Sequence, residues 1–209
     1  MRACIEAHFL KDVEHHAMSI IREDGVCRHV RFRKPGTICM GFDLIAWPGH
    51  LCYTGDMGTY VFSRTNDMFE FFRTDRKQPW PGNALHVNLG YWAQKVLAQD
   101  KNGGIKAYDQ DRAEVMLKEA LRDMRRDGRK TAEERGEIYD EVMESIESEE
   151  AFHLALRDHF DDSWEWDLTD YTYGFIWCCH AIAWGIQIYD NNSNKQEIQP
   201  CRSSMQKLE

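Results

Sequence analysis

Four side chains in one short stretch, Asp43, His50, Cys52 and Asp56, have the types needed for nucleophilic chemistry. A thiol becomes a nucleophile when an imidazole takes its proton and a carboxylate orients that imidazole, so Cys52, His50 and Asp56 around one hairpin are a candidate hydrolase or transferase centre. The same residues also have an ordinary reading. Cys52 falls where a strand buries a small apolar group, His50 follows a turn glycine, and Gly55-Asp56 is turn chemistry. Nine histidines and seven cysteines raise metal binding as a further chemistry. Zinc ligands come in pairs such as Cys-x-x-Cys, whereas His15-His16 and Cys178-Cys179-His180 are contiguous, which sends neighbouring side chains in different directions. No metal and no cofactor is expected. The chain has no Gly-x-Gly-x-x-Gly or Walker-type phosphate loop, and Gly103-Gly104 alone is a common loop element.

The stronger signal is electrostatic. Between Glu133 and Asp170 stand fifteen carboxylates against two arginines, a local charge of −13 within a chain whose net charge is −9. Glu133, Glu137, Asp140, Glu144 and Glu147 recur at helical spacing, with Ile138, Val142 and Ile146 on the other side. With Glu134 and Glu141 they place seven carboxylates along about 21 Å of helix, roughly one per 3 Å, close to the ~3.4 Å charge spacing of a DNA strand. Such a face fits a groove built for phosphates, and these seven residues are the candidate partner-binding set. An ordinary solvated helix face that keeps the protein soluble is the alternative. A nucleic-acid-binding role would instead use Arg28, Arg31, Arg33 and Lys34 with Trp47 or Tyr53 nearby. The acidic excess of the chain opposes it, because the same polyanion would be repelled.

These residues need elements to hold them. Residues 17 to 33 read as two strands around an Asp24-Gly25 turn of type I′, with Val30 and Phe32 inward and His29, Arg31 and Arg33 outward. Met40 to Trp47, Leu51 to Thr54 and Thr59 to Ser63 continue an antiparallel meander of about five strands, and Asp67 with Glu70 starts a closing helix. Residues 74 to 83, with Pro79 and Pro81, form a loop or subdomain junction. Ala113, Met116, Leu117, Ala120, Leu121 and Met124 make a one-sided apolar stripe, Thr131 and Glu134 form a capping box, and Phe152, Ala155, Leu156 and Phe160 give a third helix. Phe175 to Ile188 is apolar on nearly every side and reads as the central core helix, with a buried strand as the alternative. The expected fold is α+β, with a sheet and closing helix over 1–75, a helical part over 76–189 and a mobile tail over 190–209.

Charge divides in the same sense. Residues 1 to 108 hold 14 basic against 11 acidic side chains, and residues 109 to 209 hold 12 against 24. The longest apolar run falls short of the ~18 residues that a bilayer span requires. An odd number of cysteines in a chain too large to need disulfides, with no secretory leader, reads as a reducing cytoplasm.

The stretch from Phe42 to Leu51, continued by Gly55 to Arg64 and Asp67 to Arg73, resembles a family of uncharacterised proteins encoded by tailed phages and prophages. The similarity covers about residues 10 to 75, and no activity or catalytic residue comes with it. The resemblance implies expression in a bacterial host cytoplasm and an accessory role, where small acidic inhibitors of host defence, anti-CRISPR proteins among them, are frequent. Together with the acidic stripe it gives the expected function: non-catalytic binding to a basic, nucleic-acid-handling host defence protein, without membrane attachment. Self-association is left open, and Met205 to Glu209 are expected to be ordered in an assembly.

Overall fold

Three two-residue turns and one eight-residue link, 34–41, connect the strands of the first half of the fold. Strands β1 (Ala17–Asp24), β2 (Cys27–Arg33), β3 (Phe42–Trp47), β4 (His50–Gly55) and β5 (Gly58–Ser63) follow one another as an antiparallel meander, and β6 (Val96–Gln99) pairs with β5 to give the order β1-β2-β3-β4-β5-β6. Asp24 pairs with Cys27, so the first turn is Gly25-Val26, one residue later than the sequence suggests. Positive φ falls on Gly25 (+59°) and not on Val26, which is the pattern of a type II′ turn rather than type I′. Pro48-Gly49, with Gly49 at φ +83°, joins β3 to β4 as proline and glycine do in a type II turn.

The computed structural model describes residues 4–73, 85–101 and 104–197, so the expected loop over 74–83 and the end of the tail lie outside the described residues. The fold is α+β, with a six-stranded antiparallel sheet and a C-terminal helical set. It consists of two compact units, one of residues 4–104 and 173 onward, the other of residues 105–172. That division replaces the expected boundary at residue 75, because the core helix near the C-terminus folds with the sheet and not with the helices that precede it in sequence.

In the sheet unit every second residue of the central strands points inward, and Val30, Phe32, Phe42, Leu44, Leu51, Tyr53, Tyr60 and Phe62 are essentially inaccessible. Helix α7 (Tyr173–Glu197) lies on them, with α1 (Glu6–Val13), α2 (Met68–Arg73) and α3 (Leu89–Ala93) beside it. Phe42 stacks on Phe32 at 4.8 Å and meets the Trp177 ring edge-on at 5.7 Å. Gly185 lets the helix backbone approach the sheet, since a Cβ there would lie 2.9 Å from Leu44 and 3.1 Å from Phe32. Enclosure by the sheet and three helices explains why α7 needs no polar face over its first four turns. The strand alternative for 175–188 is thereby excluded. The tail also begins later than expected, for α7 runs on to Glu197 and Asp190 takes Arg73 in a two-point ion pair at 2.6 and 3.1 Å.

The second unit starts and ends on a small ribbon. Strand β7 (Lys106–Tyr108) pairs with β8 (Thr169–Tyr171), and the Thr172 amide donates to the Ile105 carbonyl at 3.0 Å, so both ends of the insertion meet. Between them run α4 (Gln110–Arg126), α5 (Ala132–Met143), α6 (Glu149–Arg157) and a 3-10 turn, Ser163–Glu165. Each helix starts on an oxygen-bearing cap: Asp109 for α4, Thr131 with Glu134 as a complete capping box for α5, and Ser148 for α6. Their apolar sides meet in one cluster containing Leu117, Leu121, Val142, Phe152 and Leu156.

Candidate functional site

The insertion concentrates the negative charge: residues 105–172 hold 10 basic against 21 acidic side chains, a net −11. On α5 successive residues turn by about 100°, so Glu133, Glu137, Asp140 and Glu144 fall within an arc of roughly 60°, with Ile138 and Val142 buried on the far side. All four are exposed, as is Glu147, and none of these five carboxylates has a salt bridge or side-chain hydrogen bond among the described residues. Glu134 and Glu141 lie outside that arc, about 40–60° beyond it, and are engaged. Glu134 accepts the Thr131 amide at 2.7 Å and faces Lys130 at 3.5 Å, and Glu141 faces His159 at 3.2 Å. Hydrogen bonds from the Thr131 backbone and hydroxyl hold the Glu134 carboxyl below its usual range.

The helix is shorter than its spacing pattern suggests. It ends at Met143 with Glu144 as C-cap, and Glu147 stands in the following turn. The helical ladder of free carboxylates therefore spans about 16 Å and carries four charges, one per ~5 Å, sparser than the seven-residue count.

The sheet unit brings together a different set. Asp43 is 6% exposed although it alternates with the core residues Phe42 and Leu44 and so stands on the opposite face of the sheet. It accepts from His29 Nε2 at 2.6 Å, from Arg31 at 3.0 and 3.2 Å, and pairs with Arg33 at 2.9 Å. Burial opposes its ionisation, but the hydrogen bonds from Arg31 and His29 and the charges of Arg33 and Arg31 outweigh that and hold its carboxyl below the usual range. Spacing gave no hint of this cluster. It arises from the pairing of β2 with β3, which sets Arg31 directly opposite Asp43.

The candidate nucleophilic centre is not assembled. Cys52 donates its thiol to its neighbour's carbonyl, Tyr53 O, at 3.6 Å, and burial raises its pKa. His50 stacks on Trp47 at 5.1 Å and bonds Pro48 O at 3.1 Å through Nδ1, while Asp56 accepts the Met40 amide at 2.6 Å. Asp43 is held by the cluster above. The basic hairpin is divided too: Arg28 faces inward, bridging to Asp67 at 2.8 and 3.0 Å over the Phe69 ring, and Tyr53 is in the core, so neither is available to a nucleic acid. Among the described residues no group of three or more His, Cys, Asp or Glu side chains is placed to hold a metal, and no helix is long and apolar enough to cross a membrane.

Two clefts in the insertion carry no sequence signal. One, of about 570 Å³, is lined by α4 and the 159–166 segment, including Glu119, Asp123, Asp161, Asp162 and the Phe160–Trp166 pair. The other, of about 570 Å³, is lined by Leu154, Arg157, Asp161 and Trp164 among others. Periodicity assigns Leu154 and Trp164 to no face, and their exposure is visible only in the folded unit. Comparison of the chain with family models, curated proteins and solved structures returns no match.

Proposed function

We propose that this chain is a phage-encoded, non-catalytic inhibitor that binds a basic, nucleic-acid-handling host defence protein in the bacterial cytoplasm and occupies its phosphate groove. The observation that carries the reading is the row of uncompensated carboxylates on α5, Glu133, Glu137, Asp140 and Glu144, continued by Glu147, on a unit with a net charge of −11. A wall of one sign steers a basic partner over distances beyond contact and repels nucleic acid and anionic lipid. The dispersal of His50, Cys52 and Asp56 into separate interactions favours binding over catalysis. The test is affinity capture from host lysate with wild-type protein and with Glu137→Lys/Asp140→Lys/Glu144→Lys, followed by a salt titration across the range in which the Debye length falls from about 10 Å to about 3 Å. A partner retained by wild type, released with rising salt and lost in the variant is expected. Equal retention by both proteins would remove α5 from the mechanism.

A further inference from the structure

The two clefts of the insertion share one wall, Asp161, and differ in chemistry. On one side of Asp161 the lining is mainly acidic and aromatic; Arg129, which faces Asp127 at 3.0 Å, and His159, which faces Glu141 at 3.2 Å, border it as well. Asp123 faces Arg126 at 3.1 Å, but Glu119, Asp161 and Asp162 have no salt bridge among the described residues, and beside them the Phe160 and Trp166 rings lie 5.1 Å apart. Carboxylates next to ring faces are the surroundings in which a guanidinium or ammonium group is held by charge and by cation–π attraction together.

On the other side Leu154 and Trp164 make most of the exposed lining apolar, with Glu150, His153, Arg157 and Ser163 bordering it. Trp164 is 76% exposed and Leu154 56% exposed, and both line the second cleft. The exposure of Trp164 does not come from a loose backbone. Ser163 is buried, and the turn is closed by Ser163 N to Phe160 O at 3.3 Å, Glu165 N to Asp162 O at 3.0 Å and Trp166 N to Ser163 O at 3.2 Å. A tryptophan fixed in position and left in water forgoes the burial of about 150–250 Å² of side chain, and such residues dominate the energetics of interfaces that cover them.

We infer that the 154–166 face of the insertion is a docking surface for a protein segment in which a lysine or arginine stands next to a large apolar side chain. The cation enters the Glu119–Asp161–Asp162 cleft and the apolar group covers Leu154 and Trp164. Charge complementarity selects this occupant, because a unit of net −11 with three unpaired carboxylates in one cleft repels an acidic segment, and an uncharged one leaves them uncompensated. The inference rests on the reading that the insertion receives a basic partner and adds an anchoring site to α5.

The test uses the full chain and two synthetic tryptophan-free peptides of equal positive charge, one with leucines beside its lysines and one with serines in their place. Binding is followed by the fluorescence of the protein. Wild type is expected to prefer the leucine peptide by about tenfold or more, the gain from burying one leucine side chain, with a blue shift of the Trp164 emission. Leu154→Ser/Trp164→Ser is expected to lose that preference and keep its affinity for the serine peptide. Equal affinity of wild type for both peptides, a preference that survives in the double variant, or no binding of either peptide would overturn the inference. The α5 reading fails separately, if the serine peptide binds Glu137→Lys/Asp140→Lys/Glu144→Lys as well as wild type.

Discussion

His180 makes the stability of the sheet unit depend on pH. It stands on α7 with 7% of its surface exposed, stacks on Phe9 at 5.7 Å and has no hydrogen-bond partner for Nδ1 among the described residues. Burial without a partner penalises the imidazolium and lowers the pKa from 6.5 to about 4. In the unfolded chain the same ring takes its proton near 6.5, so below that pH the unfolded state gains protons first and stability falls. The contribution is complete above pH ~6.5 and lost as the pH drops towards 4. Between pH 7 and pH 5 the linkage amounts to about 2 kcal/mol, a large share of the ~5–15 kcal/mol that holds a domain together. The assay is urea denaturation followed by circular dichroism and tryptophan fluorescence at pH 7, 6 and 5, for wild type and His180→Leu. Other titrating groups act on both proteins alike, so the difference between the two pH profiles isolates His180. Wild type should lose about 2 kcal/mol more than the variant over this range. Parallel profiles would refute the argument.

Two further substitutions test the packing of each unit. Gly185→Val forces a branched side chain into the contact where a Cβ already lies 2.9 Å from Leu44, and should destabilise the sheet unit by about 1–3 kcal/mol in the same urea assay. Thr131→Ala removes the cap that accepts the Glu134 amide, costs about 1 kcal/mol and should speed hydrogen exchange of the first-turn amides of α5 about fivefold, with no change in the sheet unit.

Local chemistry was legible where a short-range rule acts alone. Asp24-Gly25 and Pro48-Gly49 announce two reversals, and alternation of apolar residues from Val30 to Phe62 assigns the inner face of the strands, because a turn and a pleat are properties of a few consecutive residues. The capping box Thr131–Glu134 appears as read, for the same reason. Misreadings arise where a partner far along the chain decides. Arg28 looks like one more cation of a basic strand, yet Asp67, 39 residues away, draws it inward. Asp43 reads as a carboxylate close to His50 and Cys52, and strand pairing makes it the centre of an ion-pair cluster. Asp190 reads as the start of a loose tail, and Arg73, 117 residues earlier, holds it in a helix.

The residues of this protein by themselves determine an antiparallel meander, a set of capped amphipathic helices, a wholly apolar segment that must be enclosed, and a strong negative charge in the second half. Those follow from backbone preference, hydrophobic period and charge count, which need no knowledge of distant neighbours. Only the tertiary structure decides that the apolar helix belongs to the sheet, that the charge is gathered on an insertion whose two ends meet, which carboxylates stay uncompensated, and that Leu154 and Trp164 face water. The physical reason is that enclosure, ion pairing and exposure are relations between residues far apart in sequence, and a spacing pattern records one side of each relation alone.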